Sequence, residues 1–291
     1  MRNRSLWLMI MPTALLFLIF LYIPMAGLVL AFRNYDIVGG LLGHSWAGFK
    51  FFAQFFKDPY FPRIVRNTVL TNIYMILFAF PAPIALVLWL NEFRQPRLKK
   101  IVQSIAYLPH FLSVVVIVGI MIEILSSRGI VNQILVTFGI EKQLFFNDKN
   151  WFRFLYVGSS AWESMGWNSI IYFAALAGIN PELYESADIE GAGRFAKIRF
   201  ITVPCLLPTI VIMFILSVGN IMTLGFEKVF LMYNPATYAT ADVISTYVYR
   251  RGIIGMDYSY STAAGFFNSI VNFFLLLGAN YAVKKAGYGL W

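Results

Sequence analysis

Long apolar segments separated by polar loops run through the whole chain. A helix needs about 20 apolar residues to cross about 30 Å of hydrocarbon, and six segments reach or exceed that length. The pattern therefore predicts an all-α integral membrane protein with six transmembrane helices, in which residues 1–291 form a single membrane domain. The predicted spans cover about residues 6–32, 67–90, 101–125, 154–179, 203–224 and 263–283.

Prolines lie in several of these segments, and the two in the first segment predict a bend there. Pro12 and Pro24 fall in the first segment, Pro81 and Pro83 in the second, and Pro109 near the start of the third. A proline has no backbone N–H, so a carbonyl of the preceding turn loses its partner. In a membrane, neighbouring helices or water must satisfy that carbonyl.

The most polar interruption runs from Asn180 to Pro208 and predicts two short helices around a glycine break. The Asn180 side chain is a good N-cap for the first helix, and Pro181 suits the first helical position. Gly191-Ala192-Gly193 ends that helix, because glycine enters the left-handed backbone region without a Cβ clash. The second helix is predicted from Arg194 to Val203, followed by prolines where the next apolar segment begins.

Composition agrees with a membrane protein that has few residues outside the bilayer. The chain is 59% hydrophobic and 13% charged, whereas soluble domains are about a quarter charged. The formal net charge of +9 is explained by membrane topology and anionic lipid rather than by nucleic acid. The single cysteine, Cys205, excludes an internal disulfide and a cysteine-based metal site.

The basic residues predict the orientation of the spans. The predicted loops that share a side with both termini contain 11 Lys or Arg in 47 residues, and the opposite loops contain 12 in 98. Because short loops rich in Lys and Arg stay in the cytoplasm, both termini are predicted to be cytoplasmic. The richer set comprises residues 1–5, 92–100, 179–203 and 284–291, and the poorer set comprises 33–66, 126–153 and 226–261.

No catalytic or metal site is predicted. The histidines, His44 and His110, are far apart in sequence, and the chain contains no HExxH, phosphate-binding loop, GxGxxG or Ser/His/Asp pattern. An ATPase site of its own is therefore not expected.

Polar residues inside the fourth predicted span are candidates for a substrate path. A carboxylate at mid-helix costs about 2.5–3.5 kcal/mol on insertion scales and usually faces a cavity or a partner. Glu163 and Trp167 share a helical face, whereas Trp162 lies about 100° from Glu163. Aromatic rings beside hydrogen-bonding groups suit a sugar, although helix packing explains them equally well. The candidates are Trp162, Glu163, Trp167, Asn168, Tyr172 and, in the fifth span, Asn220.

The polar interruption also carries a specific motif. Glu185-Ser186-Ala187, Gly191 and Ile201-x-Val203-Pro204 stand in a spacing that resembles the EAA loop of ATP-binding-cassette import permeases. Ser186, Val203 and Glu190 depart conservatively from the family pattern. In that family the loop is the cytoplasmic coupling helix that docks on the ATPase subunit. The resemblance implies a coupling role for Glu185, Ser186, Ala187, Asp188, Glu190, Gly191, Ala192, Ile201 and Pro204.

Over residues 60–285 the chain resembles the carbohydrate branch of these permeases, of the complex-polysaccharide or aldouronate type. The resemblance implies a type I (MetI-like) permease fold of six helices in a bacterial cytoplasmic membrane. It also implies a second homologous permease, two ATPases that bind ATP and Mg, and an extracytoplasmic solute-binding protein as partners. The segments that carry it are Arg66-Asn67-Thr68, 99–103, 107–111, 166–172 and the run into Glu185.

The expected function is therefore the permease subunit of an ATP-driven, binding-protein-dependent importer of oligosaccharides or polysaccharide fragments. It would convert ATPase motion into alternating access, with no cofactor in this chain. Two alternatives remain: a permease for another solute, such as glycerol phosphate or a simple disaccharide, and an intramembrane enzyme that uses Glu163 or Glu123. Catalysis would need a second titratable group within reach, and the nearby sequence supplies none.

Overall fold

The computed structural model describes residues 4–36, 38–40, 45–93 and 95–285. Arg2, His44, Arg94 and the tail after Lys285, which entered the sequence argument, lie outside the described residues. The chain forms two compact units. One consists of Met1–Phe61 with Tyr247–Ile270, and the other of Pro62–Thr246 with Val271–Trp291.

The described residues are helical apart from turns, loops and one isolated antiparallel bridge between Arg33 and Trp46. The predicted all-α class is therefore confirmed. The α-helices of the described residues are α1 (Arg4–Phe17), α2 (Ile23–Met25), α3 (Lys50–Lys57), α4 (Phe61–Tyr74), α5 (Pro81–Asn91), α6 (Pro96–Tyr107), α7 (Val114–Leu125), α8 (Ile130–Thr137), α9 (Trp151–Ala177), α10 (Glu182–Ile189), α11 (Arg194–Lys197), α12 (Val203–Gly219), α13 (Phe226–Met232), α14 (Tyr238–Ala241), α15 (Ile244–Tyr249) and α16 (Tyr258–Lys284).

Short π and 3-10 segments join or extend several of these helices. A π turn has one more residue per hydrogen-bonded ring than an α turn and often lies beside a proline or a functional site. The π segments are Leu18–Tyr22, Met75–Ala79, Ile198–Thr202 and Arg250–Ile254, and the 3-10 segments are Ala26–Phe32 and Leu108–Phe111.

Among the described residues, five helical stretches are long and apolar enough to cross a membrane. The more polar α9 is not among them, although its 27 residues would extend about 40 Å at about 1.5 Å per residue. The count of six spans and their orientation therefore stay predictions. The five stretches are Trp7–Phe32, Phe61–Asn91, Val114–Thr137, Arg194–Gly219 and Tyr258–Lys284.

The third predicted span differs from the structure, because the helix is interrupted after Tyr107. A 3-10 segment containing Pro109 follows, and Ser113 then starts α7 by accepting a hydrogen bond from the Val116 amide at 3.3 Å. Proline cannot supply the amide that a continuous helix would need. Two extended residues, Leu112 and Ser113, accordingly separate α7 from the preceding helical turn.

The region around the fifth predicted span also differs. Instead of a separate helix ending at Val203, helical structure continues from Arg194 to Gly219. The π turn Ile198–Thr202 lets the helix pass Pro204, because the Val203 amide bonds back to the Ile198 carbonyl. The helix then stops at Gly219, before the predicted end at Leu224, and Asn220 follows in a turn.

Helix α9 is the centre of the unit that comprises Pro62–Thr246 and Val271–Trp291. It packs against α5, α6 and α12. At Gly166 a Cβ atom would lie 1.9 Å from the Ala106 carbonyl oxygen, so a larger residue there would force the helices apart. Small residues that permit close backbone approach are typical of helix contacts in membranes.

In the other unit, a half-buried carboxylate fixes the turn after α3. Asp58 Oδ2 accepts hydrogen bonds from the hydroxyls of Tyr247 at 2.5 Å and Tyr260 at 2.6 Å, and Oδ1 accepts from the Tyr60 amide at 2.8 Å. Burial by itself would raise the pKa of Asp58, but the hydrogen bonds from Tyr247, Tyr260 and Tyr60 outweigh it and hold the pKa below its usual value. The turn is thereby stabilised in the ionised state of Asp58.

Candidate functional site

A cavity of about 330 Å³ lies between α9, α12 and the stretch formed by α4, its π turn and α5. Its volume is at the lower end of the range for small-molecule sites. Its wall alternates amide or hydroxyl groups with apolar side chains. The polar lining residues are Asn72, Ser164, Asn168, Tyr172, Ser217, Asn220 and Thr223, and the apolar ones are Met75, Ile76, Ala79, Phe80, Pro83, Met213 and Leu216.

Helix α9 presents one face to this cavity. Ser164, Asn168 and Tyr172 follow one another at intervals of four residues, which places them in a row along the helix. The Asn168 side chain is half-buried and has no hydrogen-bond partner among the described residues. It is therefore available to a ligand that donates and accepts hydrogen bonds.

The opposite wall has polar groups that already make one bond each. Asn220 Nδ2 donates to the Leu216 carbonyl at 2.9 Å, and Asn272 Nδ2 donates to Thr223 Oγ1 at 2.7 Å. The Asn220 amide group keeps a second donor, and its side-chain oxygen accepts no hydrogen bond from the described residues. The cavity can thus exchange several hydrogen bonds with a hydroxyl-rich ligand.

Glu163 lies outside the set of cavity-lining residues and forms an ion pair with the buried Lys228. Its Oε2 is 2.8 Å from Lys228 Nζ, which also donates to Ser160 Oγ at 3.0 Å. The Lys228 side chain is 7% exposed and that of Glu163 is 22% exposed. The pair joins α13 to the middle of α9. Sequence reasoning missed Lys228, because it is 65 residues away from Glu163 and lies in a segment with no motif.

The tryptophan candidates lie on other faces of α9. The Trp167 ring stacks on His110, with centroids 4.4 Å apart, and meets the edge of Phe111 at 5.8 Å. Trp162 and Trp167 are both exposed, and neither lines the cavity. The structure therefore brings Asn168, Tyr172 and Asn220 together, but not the other three candidates.

The loop after α9 has the geometry of a capped helix end. Gly191 has φ of +74°, its amide donates to the Asp188 carbonyl at 3.1 Å, and the Ala192 amide donates to the Ala187 carbonyl at 2.8 Å. This pair of bonds is the Schellman motif, and the predicted glycine stop is confirmed. At the other end, α10 begins at Glu182, one residue later than predicted, and Asn180 Oδ1 accepts a hydrogen bond from the Glu182 amide at 3.1 Å.

Two side-chain contacts hold α10 against the following helical segment. The Tyr184 hydroxyl lies 2.9 Å from Thr202 Oγ1, and Lys197 Nζ forms an ion pair with Asp188. Within this stretch Glu185, Ser186, Ala187 and Asp188 belong to α10, Glu190, Gly191 and Ala192 to the turn, Ile201 to the π segment and Pro204 to the start of α12.

The loop also exposes large apolar side chains. Ile189 is 89% exposed, Phe195 74% and Phe200 71%, and the Glu185 side chain in the same loop is exposed as well. Exposed apolar residues on a loop suit a docking surface, and Phe195 and Phe200 also belong to the stretch Arg194–Gly219 that is apolar enough to enter a membrane. The geometry fits a small surface for another protein.

Comparisons with known proteins agree with this architecture. A family model described as "Binding-protein-dependent transport system inner membrane component" matches residues 60–287. The chain belongs to this family. Membership confirms the predicted transport class: the protein is a multi-pass membrane permease subunit and not an enzyme.

Two relatives from Bacillus subtilis (strain 168) match nearly the whole chain. Protein LplB is 42% identical over 285 residues, which cover 98% of this chain and 90% of that protein. The polygalacturonan/rhamnogalacturonan transport system permease protein YteP is 40% identical over 287 residues, covering 98% and 89%. The predicted resemblance to carbohydrate permeases is thereby confirmed.

Two solved structures have the same fold. One is a bacterial ABC transporter involved in the import of the acidic polysaccharide alginate, with a TM-score of 0.90 and 42% identity over 98% of this chain and 96% of that chain. The other is the alginate transporter in complex with an alginate pentasaccharide-bound periplasmic protein, with a TM-score of 0.91 and 42% identity over 99% and 96%. The predicted permease fold is confirmed.

Proposed function

We propose that this chain is one permease subunit of an ATP-driven importer of oligosaccharides or polysaccharide fragments in a bacterial cytoplasmic membrane. The observation that carries the proposal is the 42% identity and shared fold, over nearly its whole length, with a chain of an alginate importer. The same description fits YteP, whose name specifies other polysaccharides.

The polar cavity supports a sugar as the transported solute. A sugar ring has apolar C–H faces and hydroxyls that need partners. Asn168, Asn220 and Tyr172 offer such partners among apolar neighbours. We infer that they contact the sugar directly.

The remaining candidates on α9 receive different roles in this proposal. Glu163 acts through its ion pair with Lys228, which fixes α13 on α9. Trp167 and Trp162 are exposed on other faces of α9. In this proposal the stacked rings of Trp167 and His110 offer a flat surface for the apolar face of a sugar ring.

The importer also requires subunits that this chain does not supply. We propose a second homologous permease, two ATPases that bind ATP and Mg, and an extracytoplasmic solute-binding protein. Helix α1 is apolar and exposed along most of its described side chains, which suits contact with the second permease or with lipid. The six spans and the cytoplasmic position of both termini belong to this proposal.

The loop of residues 180–203 is proposed as the coupling surface for an ATPase. Its exposed apolar residues and Glu185 would contact the ATPase, and the Tyr184–Thr202 contact would carry the motion of α10 to the helix that continues into α12. Because α12 lines the cavity, movement of the loop would change access to it.

Uptake into proteoliposomes tests the proposal. The protein, purified with its partner subunits and supplied with binding protein and internal ATP, should accumulate labelled oligosaccharides such as oligogalacturonate or alginate fragments. Asn168→Leu should lower uptake at least several-fold without changing ATPase co-purification. Gln133→Leu, which alters an exposed amide outside the cavity, should have no effect. Uptake of glycerol phosphate or a simple disaccharide, with no oligosaccharide transported, would contradict it.

A further inference from the structure

A second cavity lies beside the N-terminal end of α9. Its volume is about 410 Å³, and it shares no lining residue with the first cavity. Only two of its lining residues, Asn150 and Arg153, have amide or charged side chains. The full lining is Tyr74, Phe78, Asn150, Arg153, Phe154, Val157 and Gly158.

Arg153 is held in place but its charge is not neutralised. Its Nη2 donates to Asn67 Oδ1 at 2.9 Å, and the fully buried Asn67 is fixed by donating to the carbonyls of Ala239 at 3.1 Å and Asp242 at 3.0 Å. The Arg153 Nε atom is buried without a hydrogen-bond partner. Such an atom is normally satisfied by a ligand or by water.

No carboxylate among the described residues lies within ion-pair distance of Arg153. The nearby Asp242 carboxylate pairs with Arg63 at 3.0 Å. Arg66 is close enough for its own positive charge to act on Arg153. The N-terminal end of a long helix adds further positive potential, so this end of the cavity attracts an anion.

The rest of the cavity is lined mainly by apolar side chains and opens at the exposed surface of the helices. Phe78 is 63% exposed and Phe154 69% exposed, and at Gly158 no atom lies within 4 Å of where a Cβ would be. A sugar would find few partners for its hydroxyls here. A fatty acyl chain, in contrast, fits an apolar groove on a membrane helix.

We propose that this cavity binds an anionic phospholipid. The phosphate group pairs with Arg153, with Asn150 beside it, and an acyl chain lies along Tyr74, Phe78 and the open surface at Gly158. A basic pocket between membrane helices attracts anionic head groups, and with the predicted orientation of the spans this one would face the outer leaflet. Arg153 itself follows the common pattern of a cation placed near the end of a span.

Native mass spectrometry of the protein purified with its partner subunits tests this proposal. The protein is offered equal amounts of phosphatidylglycerol and phosphatidylcholine with identical acyl chains. The wild type should retain phosphatidylglycerol several-fold in excess. Arg153→Gln should bring the two lipids to equal retention, and Arg153→Lys should keep part of the preference. Arg128→Gln, a matched change at an exposed arginine away from the cavity, should change nothing.

A second variant separates the groove from the charge. Gly158→Leu should fit without a backbone clash and occupy the acyl position, so retention of both lipids should fall while the complex elutes as the wild type does. Unchanged lipid ratios in Arg153→Gln, or an equal loss in Arg128→Gln, would overturn the proposal. So would displacement of phosphatidylglycerol by added oligogalacturonate in the wild type but not in Arg153→Gln, since the site would then belong to the sugar.

Discussion

Two ion pairs between a lysine and a carboxylate, Glu163–Lys228 and Asp188–Lys197, differ in their burial and in the segments that they join. Glu163 and Lys228 meet in the interior, with side chains 22% and 7% exposed. Asp188 and Lys197 meet on the loop, with side chains 65% and 20% exposed. The first pair joins segments that are distant in sequence, and the second closes a turn. The buried pair therefore fixes tertiary structure, whereas the exposed pair only supports a loop whose shape is already set by its glycine.

Removing one partner of the buried pair should have the largest effect. Lys228→Met leaves the partly buried Glu163 carboxylate without its cation. Breaking a fully buried pair costs about 3–5 kcal/mol, and the 22% exposure of Glu163 lowers that cost. We expect a clear fall in the thermal unfolding temperature of the purified complex.

The double variant Glu163→Gln with Lys228→Met is the matched control. Because it removes both charges, it should recover most of the lost stability, as buried pairs often tolerate joint replacement. A double variant as unstable as Lys228→Met alone would show that packing at Lys228, not its charge, holds α13 on α9.

The glycine of the loop should come next in effect. Gly191→Val places a β-branched residue at φ of +74°, which costs at least about 1–2 kcal/mol and opens the Schellman turn. ATPase co-purification and transport should both fall sharply. Gly193→Val is the control, because Gly193 has extended backbone angles and open space around it. Equal losses in both variants would contradict the claim that the turn geometry matters.

The exposed pair should have the smallest effect. Lys197→Gln removes a contact that water and salt already screen, and such pairs contribute about 0–1 kcal/mol. Its unfolding temperature should stay within about 2–4 °C of the wild type, with ATPase co-purification retained. A loss as large as that of Lys228→Met would erase the distinction between the two pairs.

The difference between contacts within a loop and contacts between distant segments explains what could be predicted from the sequence. The turn at Gly191 and the cap at Asn180 depend on neighbouring residues, so local rules were sufficient. The all-α membrane class followed from the apolar segments. Lys228 could not be predicted as the partner of Glu163, because 65 residues separate them and only tertiary packing brings them together.

Helical geometry alone also left the cavity face undetermined. Glu163 with Trp167 and Ser164 with Asn168 are both pairs at i, i+4, and they differ by about 100° around α9. Packing against α5 and α12 decides which face is open, and it selects Ser164 and Asn168. The helix ends after Tyr107 and at Gly219 were not predicted either. The apolar pattern continues past both residues and does not show where an α-helix stops.

Substrate protection of a thiol on the cavity face of α9 is the most direct test that sugar passes there. In the Cys205→Ala background, which has no other cysteine, Asn168→Cys should react with a water-soluble maleimide in at least one nucleotide state. A transported oligosaccharide should slow that reaction at least several-fold, while Gln133→Cys should react equally with and without sugar. A thiol at residue 168 that never reacts, or that reacts at the same rate with the sugar present in every nucleotide state, would contradict the account.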